Sequence, residues 1–285
     1  MSTLKIALQK SGRLSEESLS LLKKCGLSID SGNGQLKARV ANFPLEILFL
    51  RNSDIPQYLM DGVADLAIIG QNLLFEKGFP IEIVMPLGFS KCRVAVAVPE
   101  SFTFNSINDL NGLRIATSYP ETTSRYFKAQ NIAIELHQIS GSVEIAPNIG
   151  LADAIVDIVS SGNTLAKNNL KEVAIILESE AVLAVSPKLN PDNKVIMDRF
   201  LFRLQSVLRA SQSKYLLMNV PNVKIQEISE ILPALKSATV VPLSLKGWSS
   251  VQTVISDTAF WDVIDKLKAS GAEDILVCPI EKIAL

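Results

Sequence analysis

Five consecutive residues, Ser160, Ser161, Gly162, Asn163 and Thr164, place hydroxyls, an amide and a conformationally free glycine in one short segment. Gly162 lets successive backbone N–H groups turn toward a single point. The hydroxyls add donors, and Thr164 can open a following short helix, LAKNN, whose N-terminus favours an anion. That combination suits a phosphate. The preceding residues, DAIVDIV, read as a short amphipathic helix, which puts Asp157 one turn before the loop and sets Asp153 and Asp157 on one face at i,i+4 spacing. A carboxylate there would repel a bare anion but accepts hydrogen bonds from sugar hydroxyls, so the two features together fit a ribose phosphate better than free phosphate. The alternative is a plain Ser/Gly/Asn turn joining a helix to a strand.

A second polar segment, QKSGRL at residues 9–14, lies between the first apolar run and the first amphipathic one. This is the carboxyl end of a predicted strand, where open α/β sheets hold ligands. Lys10 and Arg13 supply positive charge there, and Ser11 with Gly12 supplies backbone donors, a set suited to polyphosphate. The pattern GxxxxGK is absent, so it is no Walker loop, and solvated surface cations are the plain alternative.

Both loops must be held by an alternation of short apolar runs and amphipathic stretches: LKIALQ, SEESLSLLKKCG, LEILFL, SDIPQYLMDG, ADLAIIG and QNLLFEKG. This is the βαβα grammar of a mostly parallel sheet covered by helices. Ser15 reads as the cap of the first helix, Glu16 and Glu17 suit its positive end, Lys23 and Lys24 its negative end, and Gly26 stops it. A second series runs from RVAVAVP through LRIAT, a helix after Pro120 and IAIELHQI to EVAIILES. Pro191 to about Ser211 repeats apolar residues at helical spacing. From Lys214 the order changes to βαββαβ, the ferredoxin-like arrangement of a small α+β domain. The expected domains are therefore 1–90, completed by about 180–212, then 91–179 with the phosphate loop, and 213–285.

With 285 residues and 48% hydrophobic content, the chain is too long for one typical domain. Its 28 Lys and Arg against 29 Asp and Glu, with no like-charge block, argue against nucleic acid as a partner. No apolar run is long enough to span a bilayer, and MSTLKIALQKSGRL lacks the apolar core of a signal peptide, so a cytoplasmic protein without a membrane partner is expected. Cys25, Cys92 and Cys278 stand far apart in apolar contexts and read as reduced, mostly buried thiols. His137 is the single histidine and falls in an alternating segment, which reads as an ordinary strand position and excludes histidine-based catalysis.

The ordered segments LKIALQKSGRLSEESLSLLKKCGL, DIPQYLMDGVADLAIIGQNLL, GLRIATSYPETTSRYF, GSVEIAPNIGLADAIVDIVSSGNTL and GAEDILVCPIEKI resemble the ATP phosphoribosyltransferase family in its long, self-regulated form, over nearly the whole chain. The resemblance implies two catalytic lobes with a periplasmic-binding-protein-like fold around a cleft, followed by a regulatory domain. It implies transfer of the phosphoribosyl group of 5-phosphoribosyl 1-diphosphate to N1 of ATP, the first step of histidine biosynthesis, with Mg²⁺ as cofactor and histidine as inhibitor. Ser160, Ser161, Gly162, Asn163 and Thr164 then take the 5-phosphate, Asp157 the ribose hydroxyls, and Lys10 and Arg13 the phosphates of ATP or pyrophosphate, with Ser11 and Gly12 beside them. Arg93, Tyr119 and Glu144 are further substrate-binding candidates, against surface pairing for the two charged residues and packing for the tyrosine. Asn219, Leu235 and Thr239 would border an effector pocket, against ordinary strand-end and core roles. Homo-oligomers from dimer to hexamer are implied. Gln71 departs from the family, where an acidic residue is common, and Ser161 stands where Thr is frequent. A non-catalytic two-lobe binding or sensing protein is the alternative.

Overall fold

The computed structural model describes residues 3–30, 35–232 and 238–284. Contacts divide it into two compact units, with Ile196 closing the first and Met197 opening the second, which also takes Lys24–Gly26.

The first unit begins with β1 (Leu4–Gln9), whose Leu4, Ile6, Ala7 and Leu8 are all fully buried, as a strand covered on both faces requires. Next comes α1 (Arg13–Lys24), which buries Ser15, Ser18, Leu21 and Leu22 along one stripe. The helix starts three residues earlier than expected, at Arg13 instead of Glu16. Ser15 is therefore an interior, buried residue and not the cap, and the carbonyl of Gly12 accepts the first helical bond from the Glu16 amide at 3.1 Å. The rest of this half is β2 (Ile29–Asp30), β3 (Lys37–Val40), β4 (Leu45–Leu50), α2 (Ile55–Met60), β5 (Leu66–Gly70), α3 (Gln71–Lys77) and β6 (Glu82–Pro86). The second half holds β7 (Cys92–Pro99), β8 (Arg114–Thr117), α4 (Pro120–Ala129), β9 (Glu135–Gln138), β10 (Ala154–Val159), α5 (Asn163–Lys167) and β11 (Leu170–Ser179). The chain then returns to the first sheet as β12 (Ala181–Val185), which runs antiparallel to β5.

The first sheet has the order β2-β3-β4-β1-β5-β12-β6, the second β11-β7-β10-β8-β9. Neither is mostly parallel. In the first, only the β1 pairs with β4 and β5 are parallel; in the second, only the β8 pairs with β10 and β9. The parallel centres come from the βα units legible in sequence. The antiparallel flanks come from the ribbon β2-β3-β4 and from the strands that carry the chain between sheets, which periodicity alone does not orient.

The largest correction concerns DAIVDIV. Residues 154–159 are a central strand, β10, and not a helix. Ile155, Val156, Ile158 and Val159 are β-branched and stiff at χ1, which favours a strand, and six extended residues span a sheet layer. Asp153 and Asp157 therefore stand about 13 Å apart along an extended chain. Asp153 is tied at the far end by Arg114, with Nη2 to Oδ1 at 2.7 Å.

The second unit contains most of α6 (Lys194–Ser211), followed by β13 (Ser213–Pro221), α7 (Ile225–Ile231), β14 (Thr239–Pro242), β15 (Trp248–Ser256), α8 (Asp257–Ala269) and β16 (Glu273–Pro279). Its sheet order, β14-β15-β13-β16 with every pair antiparallel, is ferredoxin-like. Leu216, Met218, Val220 and Val251 point into a core with Ile228, Val263 and Leu267 of the two short helices. Each fully buried aliphatic side chain there contributes about 1.5–3 kcal/mol. Cys25 is buried and its thiol is pushed up to about 12 by desolvation, whereas Cys278 is exposed, contrary to the expectation of burial. Among the described residues no helix is long and apolar enough to cross a membrane.

Candidate functional site

In the second sheet the parallel strands β8, β9 and β10 deliver their carboxyl ends to one edge. Beyond β8 come Ser118 and Tyr119, beyond β9 the turn containing Glu144, and beyond β10 the segment Ser160–Thr164. In the first sheet, β1 and β5 likewise end in Lys10–Gly12 and in α3. Polar contacts join the two edges. Asn72 of α3 donates from Nδ2 to the Tyr119 hydroxyl at 2.9 Å, and the hydroxyl of Ser90, beside β7, donates to Glu17 of α1.

Asp157 is the half-buried carboxylate of this edge. Its Oδ1 accepts from the Ile158 amide at 2.8 Å and from the Ser118 hydroxyl at 3.3 Å. Burial raises its pKa above the ordinary carboxylate value, the two hydrogen bonds oppose that rise, and the charge of Glu144 adds to it. Both bonds fall on Oδ1, so Oδ2 is the oxygen able to take a substrate hydroxyl. Tyr119 is pushed well above the usual phenol range by burial first and by the Asp157 charge second, and it stays a neutral phenol at physiological pH. Its backbone is fixed as well: its amide donates to Thr117 Oγ1 at 2.8 Å, and its carbonyl accepts from Thr123 Oγ1 at 2.6 Å.

The residues expected to hold a phosphate lie together between β10 and α5. Ser160, Ser161, Asn163 and Thr164 are exposed, and Gly162 turns the chain with φ +80° at the N-terminal cap of α5. A Cβ at Gly162 would meet nothing within 4 Å, so the glycine serves the backbone angle and not local crowding. The Asn163 amide donates to Ser161 Oγ at 3.5 Å, and the Gly162 carbonyl accepts from Ala166 at 3.1 Å.

Arg93 is paired, in line with the alternative given for it. It forms a bidentate pair with Glu172, closest at 2.7 Å, and donates from Nη1 to the Ser160 carbonyl at 3.2 Å, so it braces the loop backbone with its charge already matched. In the first sheet Lys10, Ser11, Gly12 and Arg13 are all exposed. Gly12 has φ +94°, Arg13 is the first helical residue, and its Nε lies 3.2 Å from Glu17 Oε1. In the second unit Asn219 and Thr239 share the sheet face away from the helices but sit two strands apart, and Asn219 donates to Asp274 Oδ2 at 2.9 Å. Leu235 lies outside the described residues.

Sequence reasoning missed Asn72, Glu76, Ser118 and Ser179. Ser179 Oγ accepts from the Asn72 amide and donates to Asn72 Oδ1, both at 2.9 Å. A Cβ at Gly70 would stand 2.5 Å from that same Oδ1, so glycine there makes room for the asparagine. Glu76 accepts from the amides of Glu121 and Thr122. The available signal was the spacing of Asn72 and Glu76, one turn apart on the inward stripe of QNLLFEK, where polar residues are unexpected.

Comparison with known proteins places this geometry in context. The family model described as ATP phosphoribosyltransferase (HisG) matches residues 51–206, and that described as HisG, C-terminal domain matches residues 210–282. The ATP phosphoribosyltransferase of Cytophaga hutchinsonii is 53% identical over 284 residues, covering 99% of each chain. That of Bacteroides fragilis is 47% identical over 282 residues, covering 99% of this chain and all of the other. Among solved structures, a chain of the ATP phosphoribosyl transferase (HisG:HisZ) complex from Thermotoga maritima superposes with a TM-score of 0.64 at 30% identity, over 73% of this chain and 99% of that one.

Proposed function

The chain belongs to the ATP phosphoribosyltransferase family, and from that premise we propose how its own residues carry the family's reaction. It is an enzyme of the first step of histidine biosynthesis, joining N1 of ATP's adenine to C1 of 5-phosphoribosyl 1-diphosphate and releasing pyrophosphate. The non-catalytic reading is set aside. The observation that carries the residue assignment is the half-buried Asp157 three residues before the largely exposed Ser160–Thr164 turn, which we assign as a sugar acceptor followed by a phosphate cradle.

The 5-phosphate rests on Ser160, Ser161, Gly162, Asn163 and Thr164, and Asp157 Oδ2 accepts from the ribose hydroxyls. As the bond from C1 to the diphosphate oxygen breaks and the bond to adenine N1 forms, positive charge develops on the ribose and negative charge on the leaving group. Asp157, in a partly desolvated position, stabilises the first. Lys10 and Arg13, with the Ser11 and Gly12 amides, hold the polyphosphate of ATP or the departing diphosphate. Tyr119 is neutral and positioned from two sides, so it orients substrate by hydrogen bonding. Glu144 stands near enough for its charge to reach Asp157.

Mg²⁺ enters this proposal with the diphosphate. Among the described residues no three His, Cys, Asp or Glu converge on one point; an ion arriving with the diphosphate would take most of its ligands from substrate oxygens and water. The chemistry Mg²⁺ supplies when bound is neutralisation of the leaving group's charge.

The residue assignment is tested by mixing the protein with Mg²⁺, ATP and 5-phosphoribosyl 1-diphosphate and following pyrophosphate release in wild type and Asp157→Asn, where wild type turns over and the variant is slowed. Inhibition by histidine at the sheet face carrying Asn219 and Thr239 is part of the same proposal, as are a cytoplasmic location and assembly into dimers and hexamers. Histidine in the millimolar range slows wild type, and Thr239→Val weakens that inhibition while substrate kinetics stay unchanged.

A further inference from the structure

Helix α4 begins immediately after Tyr119, and its own sequence supplies no cap. Tyr119 occupies the capping position without a short side-chain oxygen, and no side chain of its own caps the helix there. Pro120 at the first helical position has no N–H, and the Thr123 amide already donates to the Tyr119 carbonyl at 3.0 Å. The unsatisfied donors are therefore the amides of Glu121 and Thr122. Both are met by one carboxylate from the other sheet's half. Glu76 Oε1 accepts from Glu121 at 3.0 Å and Oε2 accepts from Thr122 at 2.9 Å.

Glu76 is 9% exposed, and its negative charge faces the positive end of the helix. One turn further on, Arg125 donates from Nη2 to the Phe75 carbonyl, beside Glu76, and one turn back on α3 Asn72 holds the Tyr119 hydroxyl. The α3 helix thus grips the start of α4 on three sides. What it grips is the turn that presents Ser118 to Asp157 and Tyr119 to the cleft.

We propose that Glu76 is a positioning residue for the transfer reaction: by capping α4 from across the cleft it fixes Ser118 and Tyr119 against Asp157. The proposal rests on the reading of Asp157 as the ribose-facing carboxylate. Glu76 touches no substrate. It acts through the two residues that do the orienting, so its loss should appear in the transition state more than in ground-state binding.

The test is steady-state kinetics of the full-length Glu76→Gln protein alone and combined with Ser118→Ala and Tyr119→Phe. Gln keeps the shape but turns an N–H toward one of the two helical donors. The expected result is a kcat lower by about tenfold with KM values changed less than about threefold. In the Ser118→Ala/Tyr119→Phe background the same substitution should lower kcat by less than about threefold, because the groups it positions are gone. If Glu76→Gln does not fold, Glu76→Asp takes its place in the same cycle, keeping the charge but shortening the reach. The proposal is overturned if the variant's kcat lies within about twofold of wild type, or if the tenfold loss persists in the double-variant background, either of which marks Glu76 as structural only. Asp157→Asn serves as the control: if it is as fast as wild type, the reading of Asp157 fails first and the proposal falls with it.

Discussion

The two edges of the cleft handle charge in opposite ways. On the first sheet, Lys10 and Arg13 are exposed, and Arg13 meets Glu17 in a surface pair at i,i+4 spacing. On the second, Asp157 is half-buried and hydrogen-bonded, with its pKa raised, and a neutral tyrosine held from several directions stands nearby. Exposed cations act through a field that water and salt weaken, which is adequate for gathering phosphates. A desolvated carboxylate acts at short range in a medium of lower dielectric, which suits a charge that exists only while the glycosidic bond is breaking. On the proposed assignment, the exposed cations of the first sheet gather polyphosphate by their field, while the second sheet sets its half-buried carboxylate beside the turn Ser160–Thr164.

That division breaks most visibly at Gly162. A β-branched residue is strained at φ +80° whatever space surrounds it, so Gly162→Val should abolish binding of 5-phosphoribosyl 1-diphosphate in calorimetry, while Gly162→Ala weakens it less. Next in size is Asp157→Asn. Losing a charge-assisted contact of about 1.5–3 kcal/mol lowers kcat by roughly 10- to 150-fold.

Stability should move the other way in that variant. The folded-state pKa of Asp157 is raised, so relative to the unfolded chain its contribution is fully present below the ordinary aspartate value of about 3.9 and is lost as pH rises through the folded value. At pH 7 the variant carries no charge to desolvate, and its Tm should equal or exceed that of wild type. In wild type the acid limb of kcat/KM should lie above the ordinary aspartate range and disappear from its place in Asp157→Asn.

What the sequence made legible was local. Hydrophobic runs placed strands β1, β4 and β5 of the first sheet and β7, β8, β9 and β11 of the second, and the turn Ser160–Thr164 was visible from its residue types. DAIVDIV misled because six apolar-rich residues fit a buried strand or a helix equally by periodicity, and only its neighbours β7 and β8 decide. For Arg93 surface pairing stood as the alternative to substrate binding, but the partner itself was not legible because Glu172 is 79 residues away. For Asn72 and Glu76 the polar spacing on the inward stripe of α3 was a local signal of burial, but not of the partners, which lie at the start of a helix contributed by the other sheet's half.

The smallest effects belong to the exposed edge, and there the contrast between the two sheets can be measured with salt. Lys10→Ala and Arg13→Ala should each raise KM for a polyphosphate substrate by about threefold to tenfold with little change in kcat, since the field they supply acts alike on ground and transition states. The Debye length falls from about 10 Å at 0.1 M salt to about 3 Å at 1 M, so the ratio of wild-type to variant kcat/KM should shrink toward unity as salt rises. The corresponding ratio for Asp157→Asn should stay nearly constant over the same range, because a half-buried carboxylate is shielded from mobile ions by the protein itself. If both ratios fall together, Asp157 acts as one more exposed charge and the division between the edges is lost. If neither falls, Lys10 and Arg13 hold phosphate by direct, desolvated contact, and the first sheet closes over its ligand as tightly as the second.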